Sequence, residues 1–269
     1  MTDNPDILYK YRDWHVEKHR RILSHNKIFF TSARNFNDPF DGTIPLRYDK
    51  GSRQEISDKY SDRINKDNPN LNRIQKRDLA KKWRKKGLLR NRTHIKMTQD
   101  MTREQLFNDF GIFSLSAECL NILLWTHYSN SHRGFCVGFD MQKLDNMRND
   151  PLYYADNLID IHKVEYEIDY PLFNPYKMDD EEITQKPLIT KSSAWSYENE
   201  YRLILFDKTN VEIDLLDEII AEVYLGCKIS PEDKEQIIDA LQKRKNRPEL
   251  FITKMQENSF GLIKESIDY

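Results

Sequence analysis

The grouping of its apolar residues constrains this chain most. Short runs rich in aromatic and β-branched side chains recur at Leu8-Tyr-Lys-Tyr-Arg12, Lys27-Ile-Phe-Phe-Thr-Ser32, Gly111-Ile-Phe-Ser-Leu-Ser-Ala117, Gly134-Phe-Cys-Val-Gly-Phe139 and Glu200-Tyr-Arg-Leu-Ile-Leu-Phe206. Runs of this length and make-up favour strands. Ile159 to Glu167 alternates apolar and polar residues, and Ala221 to Gly226, Leu250 to Met255 and Phe260 to Glu265 complete the strand candidates. The stretches between them are irregular and lack the even helical spacing of βαβ units, so an α+β fold with a mixed, mainly antiparallel sheet is expected. Helices are expected where caps flank periodic segments: Asp13 before Trp14 to Ser24 with Asn26 as the stop, Asn121 to Ser129 as a buried helix, and Ser230 with Pro231 at the first helical position.

The pattern is interrupted once. From about residue 49 to 109 the chain turns polar and helical, and between Asn72 and Met97 there are eleven Lys or Arg against one Asp. This reads as a basic helical insertion in a single α+β domain spanning 1–269. Lys81, Lys82, Arg84, Lys85 and Lys86 in it suit a nucleic-acid backbone, or form a solvated helix face.

Several classes are disfavoured. The three cysteines, Cys119, Cys136 and Cys227, have no CxxC spacing and form neither a disulfide framework nor a zinc site. The start Met1-Thr-Asp-Asn-Pro-Asp6 is acidic and unlike a signal peptide, and no apolar run approaches the ~20 residues of a membrane helix. A reducing, cytoplasmic setting without a membrane partner is expected. No glycine-rich phosphate loop is present. Asn37, Asp38 and Asp41, in Asn35-Phe-Asn-Asp-Pro-Phe-Asp-Gly42, suit Asx turns, and no metal site is expected.

The candidate chemistry lies at Trp195-Ser-Tyr-Glu-Asn-Glu-Tyr-Arg202. Glu198 and Glu200, two residues apart, would project to one face of a strand about 7 Å apart. Such a pair suits acid–base work or stabilisation of a cation; alternatively Glu198 is a loop residue and Glu200 pairs with Arg202 or a base on a neighbouring strand. Trp195, Tyr197 and Tyr201 form an aromatic wall or part of the core. The hydroxyls of Ser114 and Ser116 face one side of their strand, as ligand contacts or as a polar sheet face. His127, in Leu124-Trp-Thr-His-Tyr128, is a catalytic candidate or a satisfied core histidine. Arg12 and Arg34 suit an anionic ligand or plain surface positions.

Taken together in that order, Leu8-Tyr-Lys-Tyr-Arg12, Phe36-Asn-Asp-Pro-Phe-Asp41, Phe113-Ser-Leu-Ser116, Leu124-Trp-Thr-His-Tyr128 with Gly134-Phe-Cys-Val-Gly-Phe-Asp140, and Trp195 to Arg202 resemble the bacterial family catalogued as domain of unknown function 2971. That family is in turn similar, more distantly, to the ADP-ribosyltransferase fold, whose split sheet carries an early Arg or His, a middle hydroxyl strand and a late Glu. The resemblance implies that Glu198-Asn-Glu200 corresponds to a Glu-x-Glu motif, Ser114 and Ser116 to the hydroxyl strand and Arg12 to the first-strand anchor. The middle strand departs from it, reading Ser-Leu-Ser where Ser-Thr-Ser is usual.

On that basis the chain is expected to bind NAD as substrate, break its nicotinamide–ribose bond and pass ADP-ribose to a protein or nucleic-acid acceptor, in a bacterial toxin or phage-defence setting. Glu200 would stabilise the oxocarbenium-like transition state and Glu198 would orient the acceptor. Arg12 would hold the pyrophosphate, Ser114 and Ser116 the nicotinamide ribose, and Tyr128, Trp195 or His127 would complete the pocket. A nucleic-acid-binding module or nuclease built on Lys76 to Lys96, and a non-catalytic nucleotide-sensing or protein-binding domain, are the competing expectations.

Overall fold

The computed structural model describes residues 5–87, 90–150 and 159–269. The chain divides into two compact units, one formed by Met1–Ser32, Asp109–Tyr166 and Ser193–Tyr269, the other by Ala33–Asn108 and Glu167–Ser192.

The first unit is built on one open sheet. Its strands are β1 (Ile7–Arg12), β2 (Lys27–Ser32), β3 (Phe110–Ser116), β4 (Phe135–Asp140), β5 (Ile159–Lys163), β8 (Glu200–Phe206), β9 (Val211–Asp214), β10 (Ile220–Leu225), β11 (Glu249–Met255) and β12 (Leu262–Ser266); the short strands β6 (Glu165–Glu167) and β7 (Thr190–Ser192) lie outside it. The main path runs β12-β11-β10-β4-β1-β3-β2-β9, with β8 on β3 and β5 on β8. Among the described residues, only β10 and β11 run parallel within this sheet. The fold is therefore mixed α+β with a mainly antiparallel sheet.

The sheet forks at β3. One edge of β3 pairs with β8 from Phe110↔Phe206 to Ser116↔Glu200. The other edge is shared, β2 pairing at Gly111 and Ile112 and β1 at Ser116.

Helices cover both faces. On one, α1 (Glu17–His25), α6 (Met141–Arg148) and α8 (Pro231–Gln242) bury Ile22, Leu23, Leu144, Met147, Ile237 and Leu241 in the same core as Leu8, Phe113, Phe135 and Val137. On the other, α5 (Ile122–Tyr128) packs Leu124 and Trp125 with Tyr11, Cys136, Tyr224 and Phe251. Alternation along β1 explains the two cores: Leu8, Lys10 and Arg12 face the first, Tyr9 and Tyr11 the second.

Local signals were read with mixed accuracy. Ser230 caps α8 by accepting from Asp233 N at 3.0 Å, and Pro231 occupies the first turn. Asn26 ends α1 in the left-handed region, φ 54°. Asp13 does not cap α1: its carboxylate accepts from His15 N at 3.0 Å in a local turn, and the helix starts at Glu17 behind Val16, which has no side chain for the task. The helix α5 is buried on one side only, with Ile122 and Leu123 exposed.

The second unit contains α2 (Arg53–Asp67), α3 (Arg73–Lys86), α4 (Arg92–Asp109, all but its last residue) and α7 (Asp180–Ile189). Reciprocal capping boxes start three of them, at Ser52/Glu55, Asn72/Gln75 and Asp179/Glu182. Tyr60 of α2 and Trp83 of α3 meet edge to face at 5.9 Å. The acidic loop is occupied internally: Asp38 accepts from Phe40 N at 2.9 Å, an Asx turn, and buried Asp41 lies 3.6 Å from Lys191 Nζ.

Candidate functional site

The residues around Glu198 and Glu200 are assembled by β3, β8, α5 and the 3-10 turn Ser193–Glu198. The two glutamates do not share an extended strand. Glu198 ends the turn, Asn199 takes φ 42°, and Glu200 opens β8. The left-handed residue between them breaks the alternation on which a common strand face depends.

Both carboxylates are buried, at 4% exposure each, and Arg202 is at 0%. Arg202 clamps Glu200 with Nε at 2.9 Å from Oε1 and Nη2 at 3.1 Å from Oε2. Of the two sequence alternatives for Glu200, the pairing with Arg202 is present. Its backbone N–H donates to Tyr166 Oη at 2.8 Å. Glu198 accepts from Tyr128 Oη at 2.7 Å, while its carbonyl accepts from Ser116 Oγ at 2.6 Å. Bonds to a carboxylate and a bidentate guanidinium are the stronger kind of hydrogen bond, and burial strengthens them further.

Helix α5 is positioned from the same turn. Asn121 caps it by accepting from Leu123 N and Leu124 N and donates its amide to Tyr197 O at 2.9 Å. That fixes Tyr128, the last residue of the helix, over Glu198.

Register defines who faces whom, because directly paired residues share a sheet face. Tyr9, Ser116 and Glu200 form one row, and Ser114, Arg202 and His162 the next. Ser114, Ser116, Glu200 and Arg202 are thus brought together, with Tyr128 and Glu198 beside them. Arg12 is not: it sits on the opposite face, its guanidinium 5.9 Å from the centre of the Phe113 ring. The expected order along the chain holds while the faces differ.

The remaining candidates separate. Trp195 is half-buried and tilted against Tyr197, with centroids 6.1 Å apart. His127 is exposed, so the core-histidine alternative fails. Arg34 is ion-paired to Glu104 and lies over Phe107. Lys81, Lys82, Arg84, Lys85 and Lys86 are exposed on α3, Arg84 donating to Ser57 Oγ at 2.7 Å and Lys81 lying 3.7 Å from Asp78. Sequence reasoning missed His162 and Tyr166; only the pairing of β5 with β8 brings His162 opposite Arg202.

Among the described residues no group of three or more His, Cys, Asp or Glu is placed to hold a metal ion. No helix among them is long and apolar enough to cross a membrane.

Fold and site define a mixed α+β protein whose mainly antiparallel sheet carries a buried acidic–basic cluster at one edge of α5. Residues 124–203 match the family described as protein of unknown function (DUF2971), which bears out the resemblance carried by the sequence motifs. The matched segment begins in α5 and ends in β8, and the Tyr128–Glu198 hydrogen bond ties its two ends together. No curated protein and no solved structure matches the chain. The similarity to ADP-ribosyltransferases is not shown by these comparisons.

Proposed function

We propose that the first unit is an NAD-consuming enzyme of the ADP-ribosyltransferase type, acting at the Glu198/Glu200 cluster. The observation that carries the reading is the gathering of Ser114, Ser116, Glu200 and Arg202 on one sheet face with Tyr128 and Glu198 at its end. Breaking the nicotinamide–ribose bond develops positive charge on the ribose, which a preorganised carboxylate in a water-poor site stabilises. Glu200 takes that role, and Tyr128 orients Glu198 to activate the attacking acceptor, which in the absence of another is water.

Arg202 supplies the anion contact that the resemblance implied for Arg12. When a pyrophosphate reaches it, the guanidinium exchanges Glu200 for phosphate oxygens and the carboxylate is released to a ribose hydroxyl. The acceptor is a protein or a nucleic acid. A cytoplasmic setting and a part in a toxin or phage-defence system belong to the same reading.

The experiment is nicotinamide release from NAD, with thermal shift as a parallel readout. The intact protein releases nicotinamide and gains stability with NAD concentration. Glu198→Gln and Glu200→Gln each lower release by about 100-fold, an effect typical of losing one preorganised electrostatic group. Because Glu200→Gln also unbalances Arg202, Glu198→Gln is the variant whose fold is retained. Full release by a folded Glu198→Gln, or neither release nor thermal shift in the intact protein, overturns the assignment; binding without release favours the non-catalytic nucleotide sensor.

The exposed cations of α3 support a second reading, a nucleic-acid-binding surface in the second unit. The two readings combine in an enzyme whose acceptor is a nucleic acid.

A further inference from the structure

The opposite face of the sheet carries a cationic cluster that the Glu198/Glu200 reading does not use. Arg12 is only partly exposed, and its Nε is buried without a hydrogen-bond partner. No carboxylate pairs with it among the described residues, and burial alone draws its guanidinium down to about 10. Desolvating a charge without a partner is costly, which is why buried charges are normally paired.

The neighbours are cationic as well. Lys10 Nζ lies 5.0 Å from the centre of the Phe113 ring that Arg12 also covers, and donates to Ser114 O. Lys18 Nζ sits over Phe29 at 2.7 Å from its centroid. His19 is pushed down to about 4, first by burial and then by Arg12, with Lys10 adding to the effect. Two neighbouring acids are engaged elsewhere, Glu212 with Arg21 at 2.9 Å, and Asp13 with His15 N at 3.0 Å and Asn130 Nδ2 at 3.4 Å.

Lys18 and His19 lie in the first turn of α1, whose N-cap Val16 offers no side-chain acceptor; His19 N and Arg20 N bond to Val16 O, and Glu17 is the one acid of that turn. Unsatisfied helix N–H groups favour an anion at that end. The fork in the sheet lies alongside, since β1 leaves β3 after Ser116 and β2 joins it only at Ile112.

We propose that Arg12, with Lys10, Lys18 and the uncapped start of α1, forms an anion site that takes the phosphoryl group of a small molecule. The site is separate from the NAD reading, because it faces the other side of the sheet. Arg12 supplies a planar fork for two phosphate oxygens, Lys10 and Lys18 supply point charges, and the phenylalanine rings hold the cations in place.

The test is thermal unfolding of the full chain against inorganic phosphate, pyrophosphate and AMP, with sodium chloride at matched ionic strength as the reference. The melting temperature of the intact protein rises with the logarithm of phosphate concentration above the chloride reference. Arg12→Met removes that rise, and without phosphate it melts no lower than the intact protein, because an apolar side chain replaces an unpaired charge. Lys10→Met weakens the response, while Lys81→Gln with Lys85→Gln in the second unit leaves it intact. A larger rise with AMP than with inorganic phosphate assigns the site to a nucleotide phosphate, and an equal rise to free phosphate; both support the site. No rise in the intact protein with any of the three anions, or an undiminished rise in a folded Arg12→Met or Arg12→Lys variant, overturns the proposal. None of these readouts involves NAD cleavage, and nicotinamide release, which the Arg12 site does not affect, is what separates the functional reading from this one.

Discussion

At the scale of residues the most consequential pair is Glu200 and Arg202. A buried, bidentate ion pair contributes little net stability against an apolar pair of the same volume, yet losing one partner strands the other charge and costs about 3–5 kcal/mol. Arg202→Met alone is therefore expected to lower the urea midpoint strongly, and Glu200→Met with Arg202→Met to recover most of the loss. A double-mutant cycle in urea checks this, and additive losses would show that the two side chains act independently. Acid sensitivity is tied to His19. Burial, then Arg12 and Lys10, lower its pKa from 6.5 to about 4, against the opposing effect of the Asp13 carbonyl and carboxylate. The fold thus holds it neutral while the unfolded chain takes up a proton. Its contribution is complete above about 6.5 and lost as pH falls towards 4. His19→Gln is expected to flatten stability over that window, and an unchanged acid limb in urea titrations from pH 7 to pH 4 would remove His19 as the cause.

At the scale of elements, helix α3 shows how a charge pattern is read twice. Lys82 with Lys86 and Lys81 with Lys85 are i, i+4 neighbours and exposed, and like charges so placed repel. Arg84, Lys85 and Lys86 also lie in its last turn, where cations stabilise the helix dipole. If the surface binds nucleic acid, removing each phosphate contact lowers the slope of log affinity against log salt by about 0.9 for duplex DNA. Neutralising Lys81, Lys82, Arg84, Lys85 and Lys86 together should then abolish retention of a labelled duplex in a salt-series gel shift, and retention that ignores both salt and the substitutions would assign these charges to solvation alone. Element starts differed in legibility for a local reason. Ser230 with Pro231 is a signal contained in four residues, whereas Asp13 has two local uses for its carboxylate, and the turn to His15 won over the helix cap. The strand β9 was not legible, because Val211–Asp214 is short and becomes a strand by pairing with β2.

For the whole molecule, order along the chain and position in space diverge. The main sheet places β4 between β1 and β10, and β9 at the far edge beside β2. The second unit draws on two separate stretches, Ala33–Asn108 and Glu167–Ser192, where a single insertion at about 49–109 had been expected from composition. By itself the sequence determined the fold class, nearly every strand in the sheet and the motifs of the family matched at residues 124–203, because hydrophobic period and turn chemistry act over a few residues. It also narrowed the acidic cluster to Glu198 and Glu200. Only the tertiary structure decided that Arg202 holds Glu200, that Tyr128 holds Glu198 and that Arg12 lies on the other face. The physical reason is register: shifting position by one residue in a strand moves a side chain to the opposite face, and register is set by pairings between strands far apart in the chain.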